Sequence, residues 1–180
     1  MPHPSITAQT FPHKPAIIMG ESGEMVTYKQ LDERSNQGAQ VFRSLGLQAG
    51  DHIGMMMENC LEFLVIAQGA SRAGIIYTPI STHLRTEEAQ YILENCGARL
   101  FITSKKLAPI AETLVEGIPA IEHFYMLRDV SAGFKSWEEA VAAQPDTAID
   151  DESLGTAMLY SSGTTGQPKG IMPLMDQTDI

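Results

Sequence analysis

Short apolar strands alternating with amphipathic helices predict an α/β fold, a mostly parallel sheet with helices on both faces. Three observations carry that expectation. Apolar runs of strand length recur at 51–57, 74–80, 100–103, 121–127 and 156–160. The segments between them space their apolar residues three and four apart, as helices do. The connections are short and punctuated by Gly and Pro. With 180 residues and 43% apolar content, the chain is long enough for one domain with a core.

Composition narrows the function classes. A net charge of −10 disfavours non-specific nucleic-acid binding, which rests on Lys and Arg neutralising phosphates. No run approaches the ~18 apolar residues of a membrane span. The first residues lack the apolar stretch of a signal peptide, so a cytoplasmic location is expected. Cys60 and Cys96 read as buried free thiols.

In chain order, residues 1–15 are Pro-rich and polar and read as an extended arm, with His3 and His13 solvated. Ala16–Met19 and Met25–Val26 read as a hairpin turning at Gly23. Thr27 and Gln30 form a capping box for a helix ending at Leu45, before Gly46. Tyr28, Leu31, Ser35, Gly38, Phe42 and Leu45 mark its inner stripe. Asp32, Glu33 and Arg34 lie off that stripe and read as a solvated face. The Met55–Met57 run in the next strand reads as core packing, not a soft-metal site.

Asn59 with Glu62 is expected to cap a helix over 61–72, and Thr86 another, with Glu87 and Glu88 in its first turn. His83 lies in the loop between and reads as exposed and idle. A helix over 107–116 stops at Gly117 and Pro119. His123, in the strand over 121–127, reads as a packed core residue. Ser136 and Glu139 box-cap a short helix, and 144–152 forms an acidic connection.

The last strand runs into Leu159–Gly170, LYSSGTTGQPKG. Gly163 and Gly166 allow the backbone to curl its N–H groups around one anion. Ser161, Ser162, Thr164 and Thr165 add hydroxyls, and Lys169 adds a cation. The Lys-Gly ending after Pro168 is not that of a Walker A loop. A flexible Gly/Ser linker is the competing reading. The loop's place after a strand of a parallel sheet, where ligands bind, weighs against it.

Three stretches together resemble the acyl-adenylate-forming (AMP-binding) family. Val26-Thr27-Tyr28-Lys29-Gln30-Leu31 is similar to its Thr-Tyr-x-Glu-Leu motif, with Gln30 where Glu is usual. Ala73-Gly74 through Pro79-Ile80 is similar to its Ala-Gly-x-x-x-x-Pro motif. Tyr160–Gly170 is similar to its Ser/Gly-rich Pro-Lys-Gly motif at nearly every position. The resemblance covers the chain from about Pro15 onward. It implies that 16–180 is a partial N-terminal AMP-binding domain ending just after the phosphate-binding loop.

The resemblance also implies a function. The parent would be an acyl-CoA synthetase, a ligase that joins a carboxylic acid to CoA through an acyl-adenylate, with ATP and Mg²⁺. The loop would hold the ATP β- and γ-phosphates through Ser161, Ser162, Gly163, Thr164, Thr165, Gly166 and Lys169. Many relatives carry His-x-Asn after the loop; here Pro173-Leu174 leans toward fatty-acid-type enzymes. The family's adenine-, ribose- and Mg²⁺-binding residues and catalytic lysine would lie past Ile180. This chain therefore offers no catalytic residue and is expected to lack turnover, and surface left uncovered would favour self-association. An amino-acid-activating domain and a non-catalytic phosphate-binding module are the alternatives.

Overall fold

The computed structural model describes residues 4–161 and 167–173. It opens with α1 (Pro4–Thr10), a helix where an extended arm was expected. Pro4 occupies the first helical position, where its missing N–H leaves nothing unpaired and its fixed φ suits the helix. β1 (Pro15–Ile18) and β2 (Met25–Thr27) form the antiparallel hairpin, with Gly23 at φ 72° in its turn.

α2 (Tyr28–Ser44) starts at its predicted capping box. Gln30 N–H donates to Thr27 Oγ1 at 3.3 Å, and Thr27 N–H donates to Gln30 Oε1 at 2.9 Å. The chain then runs through β3 (His52–Met56), α3 (Leu61–Arg72), β4 (Ile76–Pro79), α4 (Thr86–Asn95), β5 (Ala98–Ser104) and α5 (Ala108–Gly117). Two caps fall one residue from their expected places. α3 is preceded by Cys60, which makes no side-chain cap bond. α4 is preceded by Arg85, whose N–H donates to Glu88 at 2.9 Å.

β6 (His123–Leu127), β7 (Lys135–Ser136), α6 (Trp137–Ala142), β8 (Thr156–Ala157), β9 (Leu159–Ser161) and β10 (Lys169–Ile171) complete the order. Ser136 caps α6 by accepting from Glu139 N–H at 3.2 Å.

Six strands form one sheet in the order β7-β6-β5-β3-β4-β8, and every pairing is parallel. Side chains alternate across it. Ile53, Met55, Leu100, Ile102, Tyr125 and Leu127 face α2, α3 and α6, where Phe42, Ile66 and Trp137 meet them. Met56, Phe101 and Met126 face the other way, against Leu93 of α4 and Leu114 of α5. Met55 and Met56 are wholly buried on opposite faces, so the Met run is core, as its sequence context implied. Each such side chain contributes about 1.5–3 kcal/mol by leaving water.

One charge lies inside this framework. Arg72, at the end of α3, is 3% exposed. Its Nε donates to Glu152 Oε1 at 2.7 Å. Its Nη1 donates to Ser35 Oγ at 2.8 Å and to the Asp32 carbonyl at 3.0 Å. Its Nη2 donates to Asp32 Oδ1 at 3.0 Å. Asp32 is thus a partner of a buried cation and not part of a solvated face, a correction to the expectation. Ser153 N–H then donates to Arg72 O at 3.1 Å, and Gly155 N–H to Ser71 O at 2.6 Å. These bonds steer the acidic connection onto the end of α3 and deliver β8 to β4.

Two outcomes follow. Arg72→Ala leaves Asp32 and Glu152 without their cation and should lower stability by about 3 kcal/mol, read as a lower urea midpoint. Gly155→Ala puts a Cβ 2.3 Å from Ile75 O and 2.7 Å from Ala70 O, both backbone atoms. It should cost about 2–3 kcal/mol and lower the melting temperature.

Candidate phosphate-binding hairpin

The strand expected over 156–160 is two elements. β8 stays in the parallel sheet, pairing Thr156 with Ile76 and Ala157 with Tyr77. Met158 N–H donates to Tyr77 O at 2.9 Å. The chain then leaves the sheet edge, and β9 pairs antiparallel with its own return strand, β10. β9 and β10 therefore form an antiparallel pair standing beyond the last sheet strand.

Its register sorts the side chains. Ser161 opposes Lys169, Tyr160 opposes Gly170, and Leu159 opposes Ile171. Directly opposed residues share a face, and neighbours along a strand take opposite faces. One face thus carries the Ser161 hydroxyl and the Lys169 cation, with Leu159 and Ile171 at its base. All four are exposed. The other face carries Tyr160, half-buried beside Met158 against the α4–α5 side of the core.

Of the seven loop residues expected to contact phosphate, the structure brings Ser161 and Lys169 together. Ser162, Gly163, Thr164, Thr165 and Gly166 lie outside the described residues, as does Leu174. Among the described residues Lys169 has no ion-pair partner. By contrast, Lys29 pairs with Glu33 at 3.6 Å and Lys105 with Asp129 at 3.9 Å. A solvated cation beside a hydroxyl, with no ion-pair partner among the described residues, is placed to meet an anion.

The other candidates are already engaged. At the carboxyl ends of β3, β5 and β6, Ser104 Oγ donates to Glu58, and Arg128 Nη1 lies 2.9 Å from Glu58 Oε1. Burial pushes the Glu58 carboxyl up. The Ser104 bond and the Arg128 and Lys106 charges outweigh it and hold the group below its ordinary value. That cluster is internally compensated.

Burial pushes both Cys60 and Cys96 thiols up, away from thiolate. His123 Nε2 lies 3.1 Å from Leu45 O. The residue is half-buried at the margin of the core and not within it, a correction to the packed core role expected of it. His83 is exposed. Among the described residues no three His, Cys, Asp or Glu side chains gather as metal ligands. A shallow groove between α2, α3 and α6, lined by Arg34, Glu62, Val65 and Trp137, lies across the sheet from α4.

The sequence reading missed one residue of this site. Tyr160 Oη donates to Asn95 Oδ1 at 2.6 Å, joining the hairpin to the last residue of α4. The repeated Glu-Asn-Cys at 58–60 and 94–96 was the sole sequence signal at Asn95, and its two copies have different surroundings.

A family model described as AMP-binding enzyme matches residues 5–174. The chain belongs to the AMP-binding enzyme family. This AMP-binding chain is 31% identical over 176 residues to crotonobetaine/carnitine–CoA ligase of Escherichia coli, covering 92% of itself and 34% of that protein. It superposes on the anthranilate CoA ligase AuaEII in complex with anthranoyl-AMP with a TM-score of 0.82 at 28% identity, over 94% of this chain and 34% of that one. It also superposes on the inhibitor-bound N-terminal domain of FACL13 from Mycobacterium tuberculosis, with a TM-score of 0.80 at 25% identity, over 95% and 43% of the two chains. The AMP-binding chain spans about a third of the length of the curated relatives it matches.

The Tyr160 phenol gives a pH signature. Burial, with Cys96 and Tyr91 nearby, pushes it from 10.0 up to about 12. The folded value lies above the unfolded one. Its contribution to stability is therefore whole below pH 10 and is lost as pH rises through about 12. Tyr160→Phe should flatten this part of the stability–pH curve and remove one late-titrating phenol from the absorbance change at 295 nm.

Proposed function

We propose that this chain carries the ATP phosphate-binding hairpin of an ATP-dependent acid–CoA ligase. The observation that carries the reading is the cross-strand pairing of the exposed Lys169 with Ser161, flanking the Ser/Thr/Gly sequence 162–166, in a chain matched to the AMP-binding family from 5 to 174. ATP supplies the electrophilic α-phosphorus: a carboxylate oxygen bonds to it as the bond to pyrophosphate breaks, and CoA thiol then displaces AMP.

The chain's own residues act on the departing pyrophosphate. Lys169 offsets its charge, and the Ser161 hydroxyl donates to a phosphate oxygen. Ser162, Thr164 and Thr165 add hydroxyls, and Gly163 and Gly166 let backbone N–H groups approach. Mg²⁺ is assigned no ligand on this chain. The acid is a carboxylate of the fatty class, the reading that Pro173-Leu174 favours. The relatives named above include a crotonobetaine/carnitine–CoA ligase and an anthranilate CoA ligase, so a panel of carnitine-type, aromatic and fatty acids on a longer chain containing 1–180 decides the class.

Titration calorimetry of the chain with MgATP and with pyrophosphate tests the site. Lys169→Ala should weaken both by about tenfold, the ~1.4 kcal/mol end of what a hydrogen bond to a charged group contributes. Equal binding by the variant would remove Lys169 from the site. ATP–pyrophosphate exchange by residues 1–180 alone should be undetectable.

A further inference from the structure

We propose that Asn95 is a positioning residue for the hairpin: by holding the Tyr160 phenol it fixes β9 against β10 and so sets where Ser161 and Lys169 stand. That these two residues meet phosphate rests on the function proposed above. That Asn95 places them does not.

The argument starts from how little else holds the hairpin. Lys169, Gly170 and Ile171 are all exposed, and β10 pairs only with β9 among the described residues. The described hydrogen bonds that tie 158–171 to the rest of the chain are Met158 N–H to Tyr77 O at 2.9 Å and Tyr160 Oη to Asn95 Oδ1 at 2.6 Å. The first fixes the base of β9 on the sheet. The second fixes it one residue before Ser161.

Tyr160 also reaches across to the return strand. A Cβ on Gly170 would lie 3.2 Å from Tyr160 Cζ and Oη and 2.2 Å from Met158 Cε. The bare backbone at Gly170 therefore lets the phenol and the Met158 methyl lie close against β10. One side chain thus contacts both strands of the hairpin and ends on α4. The support it reaches is firm: Ala89, Ile92 and Leu93 bury α4 in the core, and Cys96 closes its end. A rigid aromatic with a single polar tip, pinned to a packed helix, orients what it carries better than a loop alone does.

The test uses Asn95→Leu, Tyr160→Phe, their combination, and Asn95→Asp, whose carboxylate still accepts from the phenol. Amide hydrogen exchange is followed at Lys169, Gly170 and Ile171, with Ile92 and Leu93 of α4 as reference. Both single variants should speed exchange in β10 about three- to tenfold, the factor one net hydrogen bond supplies, and leave the α4 amides unchanged. The combination should be no faster than either alone, and Asn95→Asp should exchange at the parent rate. Unchanged β10 exchange in Asn95→Leu and Tyr160→Phe, or additive effects in the combination, would overturn the proposal.

Pyrophosphate titration of the same set separates the two readings. Weaker binding that tracks faster exchange supports both. Faster exchange in a chain whose parent form binds no pyrophosphate supports the role of Asn95 and sinks the ligand.

Discussion

The buried guanidinium of Arg72 is the constraint on which the placing of the site depends. A charge taken out of water must be matched by hydrogen bonds at every donor it presents. Asp32 and Ser35 on α2 and Glu152 on the connection meet that need. The connection is stapled to α2 further along as well. Asn36 Nδ2 donates to Asp146 O at 2.8 Å, and Arg43 Nε donates to the Asp151 carboxylate at 3.0 Å. A long irregular segment is thereby held flat along one helix. It reaches Gly155, whose bare backbone lies close against Ala70 and Ile75, and β8 follows beside β4.

The hairpin inherits its direction from that arrangement. Ligands of parallel sheets gather beyond the carboxyl ends of the strands, and β9 leaves the sheet at the carboxyl end of its edge strand. The two faces then divide the work. Tyr160 turns inward toward α4, with the exposed Gly170 backbone lying against its ring. Ser161 and Lys169 turn outward and supply charge and hydroxyl. Leu159 and Ile171, 55% and 59% exposed, extend that outer face as an apolar floor.

Much of this was legible in the sequence. Helix α2, its capping box and its small-residue stripe follow from spacing alone, and four of the five apolar runs give the parallel sheet its central strands, the fifth its β8 edge. What escaped did so for physical reasons. α1 was hidden because Pro4 and the prolines flanking the helix read as an extended arm, although Pro at a first helical position is permitted. β7 is two residues long, too short to carry a period. Thr156–Tyr160 reads as one strand because its residues favour a strand on both sides of Met158; only pairing partners distant in sequence show where it changes sheets. Asp32 looked solvated since a helix's own periodicity says nothing of an arginine 40 residues away. In the site, Ser161 and Lys169 were visible as chemistry. Asn95 was not, because an asparagine ending a helix is ordinary until its partner is known.

The parallel order of the sheet also sets a sequence of events in time. β3, β4 and β5 meet through short crossovers, whereas Arg72 must find Glu152 across a separation of 80 residues. Closing so long a loop costs entropy that is recovered only once the contacts form, and such contacts are late and slow. The edge strand, and the hairpin that grows from it, therefore assemble on a sheet that already exists. On the function proposed above, a chain still emerging from synthesis would have its core before it had any hold on phosphate. Phosphate binding would then follow assembly of this sheet and take no part in guiding it.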